Sequence, residues 1–397
     1  MERKQGGRTR DRSPSLRLDT AESTPAPAVI RYAALQRARA RATAASAGSA
    51  HACDNVAVRP NQRTVTAATS FPSLCLRRQL QQLRRLIAKP VLLEEGAGYW
   101  VEQLAEISAL AEAATEELYR LGSRRTVPRR IVAMVRAVED RTAQIQREIE
   151  AANTLRQAAL EYQVLLDWFV RVGGLSWAKL LEIADRVHQA SSAWPTPVLL
   201  STEQNRFSSL IATQAVSVAR VARQLCTGHP GLEEVAEWAV LAALLADIGC
   251  LTLADTDYCV PLHTEGRYVT HPLRSAQVAR ALRTLPVPVI RAIEEHHELG
   301  DGSGSPAGKR AEELSVLGQV LAIATAFVDR HLSRVSEPGP VAKQQHGLVL
   351  GELKRMAGAG KLNAQLLPYL PDAPPVVLRL KARPHFPTGC GRMPAAA

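Results

Sequence analysis

The 397-residue chain carries no paired-cysteine signature. Its six cysteines (Cys53, Cys75, Cys226, Cys250, Cys259 and Cys390) are scattered, with no CxxC pair among them. That argues against a zinc ribbon or a disulfide framework and fits a reducing, cytoplasmic setting. Long apolar runs are missing too. The longest unbroken one, Trp238 to Ala246, is too short to span a bilayer, so we expect a buried helix there and no membrane association. The Arg-rich N-terminus has no apolar core behind it, which argues against a secretory signal. No convincing run of alternating apolar and polar residues marks a strand, and the chain reads as all-α.

Charge is unevenly spread. The formal net charge is +11, but residues 1–70 hold twelve Lys/Arg and five Asp/Glu, so seven of those charges lie in the first sixth of the chain. This stretch is rich in Arg, Ala, Ser, Thr and Pro and poor in large apolar residues. It cannot bury enough surface to offset the entropy of ordering, so residues 1–72 are expected to be a disordered basic arm. Such an arm contacts nucleic acid only nonspecifically and in a salt-sensitive way, and a solvated tail without a partner is the simpler reading. An overextended gene start has the same composition.

Residues 73–195 read as a helical region. Leu104, Ile107, Leu110, Ala114, Leu118 and Leu121 recur at three- and four-residue steps. Pro128 suits a helix start, and no proline or glycine interrupts Arg129 to Val170. A long helix or a helical hairpin is expected, stopped by Gly173-Gly174. Val138, Ile145, Ile149, Ala152 and Leu166 form an apolar seam interrupted by Arg141 and Arg156. The seam is partly coiled-coil-like and offers a route to a homodimer through the long helix; the alternative is an ordinary amphipathic helix packing on its own domain. Pro195 and Pro197 mark a linker. Residues 200–370 form the next domain, with breaks at Gly228 to Gly231, Ala254 to Arg267, Pro286 and Pro288, and Gly300 to Gly308. A last helix is expected from Val341 to Met356, then an irregular tail over 371–397.

Four segments of this domain carry chemistry. The first is AALLADIGC, residues 242–250, an apolar helix ending in Asp247 and Gly249; alone, an acid and a glycine at a helix end are common punctuation. The second is Thr270-His271-Pro272, which places His271 at the mouth of a helix, where a lone histidine is more often structural than a ligand. The third, HHELGDGSGSP, runs from His296 to Pro306 and joins paired histidines to a glycine-rich turn. Imidazoles suit Fe, Mn, Zn or Ni, and neighbouring carboxylates commonly orient them through their second ring nitrogen. The fourth, GQVLAIATAFVDR from Gly318, is by itself no more than a core helix.

In order and spacing, these segments resemble the HD-GYP family of metal-dependent phosphohydrolases, whose members read like AALLHDIGK, THP, HHERxDGxGYP and ARILAVADxFDAL. The match spans roughly a third of the chain, from about Thr202 to Leu332, and its third motif, with Asp301, Gly302, Gly304 and Pro306 in the loop, is the most specific. The resemblance implies an HD-superfamily helical bundle with a two- or three-metal site that hydrolyses cyclic dinucleotides, chiefly cyclic di-GMP. It also implies metal ligands at Asp247, His271, His296 and His297.

Departures from the family pattern set the functional expectation. The HD histidine is Ala246, the following lysine is Cys250, the first ligand histidine falls at Gln214, an acidic ligand of some members at Leu210, the last aspartate at Thr325, and the tyrosine of GYP at Ser305. By the resemblance, the survivors form one metal's ligands and the lost positions served the other. Two-metal hydrolysis uses both ions, so we expect a catalytically weak or inactive regulatory or binding module of bacterial cyclic-dinucleotide signalling. It would hold one divalent transition metal (Fe, Mn or Zn) or none, with a cyclic dinucleotide or a signalling protein as partner. The alternatives are an active phosphodiesterase with a reduced metal site, and an unrelated helical protein whose match is fortuitous.

Overall fold

The computed structural model describes residues 97–121, 127–192, 197–203, 206–252, 270–334 and 340–380, with scattered positions between 75 and 85. The basic arm expected over residues 1–72, the loop Ala254 to Arg267 and residues 381–397 lie outside the described residues. Among those described, nine α-helices and one two-stranded sheet are present, and the fold is all-α.

Helix α1 (Gly98–Leu121) buries Trp100, Leu104, Ile107, Ala111, Ala114 and Leu118. This is the expected stripe rotated slightly, with Leu110 and Leu121 at its half-buried edge. Helix α2 (Arg129–Val172) is a single helix of 44 residues, not a hairpin. Its first half lies against α1, tied at the margins by Arg130 to Glu117 (2.7 Å) and by Arg141 to Gln103. Its second half lies against α3 (Trp177–Ser192) and α4 (Phe207–Gly228), tied by Arg186 to Glu161 and by Ser208 Oγ to Asp167 Oδ1 at 2.6 Å. Val138, Ile145, Ile149, Ala152 and Leu166 are all buried within the chain. A fully buried aliphatic side chain contributes about 1.5–3 kcal/mol, whereas an exposed ion pair adds about 0–1 kcal/mol, so packing and not the charged margin holds α2. The ordinary amphipathic reading replaces the coiled-coil-like one.

The second half contains α4, α5 (Ala236–Leu245), α6 (His271–Ala281), α7 (Val287–Glu295), α8 (Val316–Leu332) and α9 (Pro340–Gly358). Helix α5 is apolar all round apart from Glu237 in its first turn, as suits a helix enclosed by its neighbours; α4, α3, α7 and α8 surround it. The run Glu233–Thr252 is apolar and long enough to cross a membrane by composition, but 72% of its most apolar window is buried inside the protein.

Two short strands depart from the sequence expectation. β1 (Val198–Thr202) follows the Pro197 linker directly, and β2 (Val376–Leu380) lies in the stretch expected to be an irregular tail. They pair in parallel, Val198 with Val376 through Thr202 with Leu380. Leu199, Leu200 and Leu378 are fully buried. The Leu200 N–H donates to Ser217 Oγ at 2.8 Å, pinning the ribbon onto α4. The ribbon thus closes the second half of the molecule by joining its two ends. Leu378→Ala should destabilise the protein by about 2–5 kcal/mol, the usual range for a buried leucine, in urea unfolding followed by circular dichroism. A loss below about 1 kcal/mol would show that β2 is not part of the core.

Candidate metal centre

The four candidate ligands each stand at a helix end. Helix α5 stops at Leu245, where Ala246 N–H turns back to Ala243 O at 3.4 Å, and Asp247 follows at once. The next turn presses on the start of α6: Gly249 N–H donates to Ser275 Oγ at 2.9 Å. A Cβ on Gly249 would stand 2.5 Å from both His271 O and Ser275 N. Only glycine permits this approach, which carries Asp247 to His271. His271 is the first residue of α6, with Pro272 behind it. His296 and His297 follow Glu295, the last residue of α7.

One ligand atom from each of Asp247, His271, His296 and His297 lies within 4.8 Å of the others. This is a spread that small side-chain rotations bring within metal–ligand bonds of roughly 2.0–2.3 Å. His271 Nε2 is 3.1 Å from Asp247 Oδ1, and His296 Nε2 is 3.5 Å from the same oxygen. The two Nε2 atoms are 3.1 Å apart. His271 and His296 are essentially inaccessible, at 0% and 1% exposure, and Asp247 is at 8%. Burial disfavours an ionised Asp247, but hydrogen bonds from His271 and His296 outweigh it and hold the carboxyl well below the ordinary carboxylate range.

His296 Nδ1 lies 2.7 Å from Ile293 O, a carbonyl that can only accept. The ring therefore donates from Nδ1 to that carbonyl, which turns Nε2 toward His271 Nε2 and Asp247 Oδ1. Ring nitrogens and a carboxylate oxygen brought this close are favourable only with a proton or a cation between them. The donor set, three imidazoles and a carboxylate, could hold a metal ion.

The carboxylates flanking the paired histidines do different work from that expected of them. Ile293 O orients His296. Glu295 instead receives Ser315 N–H at 2.8 Å, Lys309 Nζ at 2.8 Å and Arg291 Nε at 2.8 Å. It fastens the histidine turn to the start of α8. Glu298 accepts from the N–H groups of Ala307 (2.6 Å) and Lys309 (2.9 Å). The motif loop folds back underneath. Asp301 accepts from the Ser303 N–H and hydroxyl, at 3.0 and 2.6 Å. Gly304 lies so close that a Cβ would stand 2.1 Å from Leu299 N, and Ser305 N–H donates to His297 O at 3.0 Å. Asp301, Gly302, Gly304 and Pro306 are outside the ligand cluster; their loop supports the backbone of His297.

Each departed family position is occupied by a group that cannot hold a dication firmly. Ala246 offers a methyl. Cys250 is 3% exposed, and burial followed by the charge of Asp247 pushes its thiol far up, so it is neutral where the family has a lysine. Thr325 is buried on α8. Gln214 donates from Nε2 to Asp329 Oδ1 at 2.8 Å. Leu210 is 39% exposed. Asp329 was missed from sequence. It stands one turn beyond Thr325 on the same face of α8, and that four-residue spacing could have revealed it. Burial, then the charge of Asp247, pushes its carboxyl up to about 7.

Helical fold and histidine–aspartate cluster together define a domain of the HD superfamily. Residues 197–364 match the HD domain family model. The chain is 24% identical over 258 residues to a cyclic di-GMP phosphodiesterase of Pseudomonas aeruginosa, an alignment covering 62% of this chain and 57% of that relative's length. Among solved structures, an HDG"Y"P protein from Bdellovibrio bacteriovorus aligns at 19% identity with a TM-score of 0.41, over 57% of this chain and 72% of that one.

The raised pKa of Asp329 has a definite sign. Its ordinary value is about 3.9, so between roughly pH 4 and pH 7 the folded state holds a proton that the unfolded state has released. Stability must then fall as pH rises through that window. In chelator-treated protein, Asp329→Asn should flatten the fall in melting temperature from pH 5 to pH 8 relative to wild type. Asp247 titrates below this window and does not blur the comparison. Two parallel melting curves would show that Asp329 is not held protonated.

Proposed function

We propose that residues 197–364 act as a one-metal, catalytically silent or nearly silent HD-GYP module, a regulatory or binding domain in cyclic-dinucleotide signalling in the cytoplasm. The observation that supports this most is the asymmetry of the site. Asp247, His271, His296 and His297 converge, one ligand atom of each within 4.8 Å of the others, whereas the positions of the family's remaining ligands hold Ala246, Thr325 and a Gln214 whose amide donates to Asp329. A single Fe(II), Mn(II) or Zn(II) ion among three imidazoles and a carboxylate would supply Lewis acidity to a bound water. Neutralisation of the phosphate and support of the leaving oxygen would fall to groups that this chain no longer has. The partner in this reading is a cyclic dinucleotide or another signalling protein. A homodimer through α2 would use the exposed stripe Val164, Trp168 and Val172, at 68%, 47% and 58% exposure.

One observation favours a second reading, an active phosphodiesterase with a reduced metal site. Asp329, its carboxyl near 7, couples to Asp247 and His296 across the depleted side, and a group of that pKa is suited to general acid–base work at neutral pH.

Metal analysis of protein purified without chelator, combined with a cyclic di-GMP hydrolysis assay, separates the two. The proposal expects about one equivalent per chain and no measurable turnover. Two equivalents with brisk turnover would overturn it, one equivalent with turnover abolished by Asp329→Asn would establish the second reading, and no metal at all would remove the metal from the proposal. As a converse, the combined substitutions Gln214→His, Ala246→His and Thr325→Asp should raise the stoichiometry from one toward two, measured by the same metal analysis.

A further inference from the structure

Tyr162 lies on α2, well before the residues matched by the HD domain family. Its side chain is completely buried, and its hydroxyl donates to the backbone carbonyl of Leu244, 82 residues further along the chain. Leu244 is in the last turn of α5. The last four carbonyls of a helix have no amide partner within it, and here the turn after Leu245 tightens, with Ala246 N–H closing on Ala243 O at 3.4 Å. The Tyr162 hydroxyl supplies a partner for Leu244 at that point. Asp247 is three residues on, and its charge is felt at the Tyr162 ring, which burial chiefly and that charge secondarily hold against ionisation.

The segment from Leu244 to Gly249 is thus held from two directions. Ser275 Oγ takes the Gly249 N–H from the α6 side, and Tyr162 holds the Leu244 carbonyl from the α2 side. Between these two fastenings lies the one carboxylate that meets both His271 and His296. We propose that Tyr162 is a positioning residue for the metal centre: by fixing the end of α5 it sets the place of Asp247 among the imidazoles, and it makes metal affinity responsive to the packing of the long helix α2. The inference rests on the one-metal reading of the cluster. Its physical content is that a buried tyrosine hydroxyl is an expensive group to leave without a partner, so the Tyr162–Leu244 contact and the position of Asp247 stand or fall together.

Tyr162→Phe keeps the ring and removes only the oxygen. The test uses the full chain, stripped of metal, with Mn(II) alone as the probe in calorimetric titration. Thr142→Val is the control. It removes another fully buried hydroxyl of α2, bonded to Val138 O at 2.6 Å, but twenty residues and hence about 30 Å along the helix from Tyr162. The proposal expects Tyr162→Phe to weaken Mn(II) binding by about tenfold or more, as loss of a supporting hydrogen bond does at metal sites, with Thr142→Val binding like wild type. Equal affinity in Tyr162→Phe and wild type would overturn it, as would an equal weakening in both variants, which would report general destabilisation. If wild type fails to bind Mn(II), the one-metal reading falls, and a metal-free readout still decides the positioning role. The imidazole ¹⁵N signals of His271 and His296 should move in Tyr162→Phe and stay in place in Thr142→Val; unmoved signals in Tyr162→Phe would overturn the proposal.

Discussion

The structure depends on the meeting of one carboxylate with three imidazoles where three of these four side chains, Asp247, His271 and His296, are buried. A buried carboxylate is costly unless hydrogen-bonded or paired, and His271 and His296 are the partners that offset the cost. The chain accepts this arrangement because three of the four participants are locked from behind. Asp247 is carried by the end of α5, between fastenings at Leu244 and Gly249. His296 is oriented by Ile293 O, and His297 is backed by the returning motif loop through Ser305 N–H. Glu295, the residue just before the pair, is the busiest ionic anchor nearby, gathering Arg291, Lys309 and Ser315. The rigidity needed to present a metal site is therefore built from backbone and from charges outside the cluster.

The two sides of Asp247 are treated differently. Toward the histidines, ligand atoms of four side chains gather within 4.8 Å of one another. Toward α4 and α8 the groups satisfy one another: Gln214 gives its amide to Asp329, and the field of Asp247 together with burial keeps Asp329 near its protonated form.

The helical region ahead of the HD domain is not a separate appendage among the described residues. Helix α2 spends half its length against α1 and half against α3 and α4, and one of its side chains reaches the end of α5. A helix of 44 residues extends about 66 Å at 1.5 Å per residue. It links the two regions through a continuous buried seam, and its energetics are those of packing, with ion pairs confined to the exposed margins.

Much of this was legible in the sequence, and for local reasons. The 3.6-residue spacing of apolar positions marked α1 and α2, Pro128 and Gly173 bounded α2, and the four motif segments, compared with a known family, supplied Asp247, His271, His296 and His297 together with the substitutions at Gln214, Ala246, Cys250 and Thr325. Those signals lie within a turn or two of the chain. The ribbon of β1 and β2 was not legible, because VLLST does not alternate and its partner is more than 170 residues away. Nor was the contact of Tyr162 with Leu244, or the pairing of Gln214 with Asp329 across 115 residues. The carboxylates expected to orient the histidines proved to hold α8 and the loop, since which acceptor faces a ring nitrogen depends on how the helix ends meet. The sequence by itself determined the helices, their ends and the chemistry available at those ends. Tertiary structure alone decided which ends converge and which side chains meet there, because those are matters of packing between segments that no local spacing encodes.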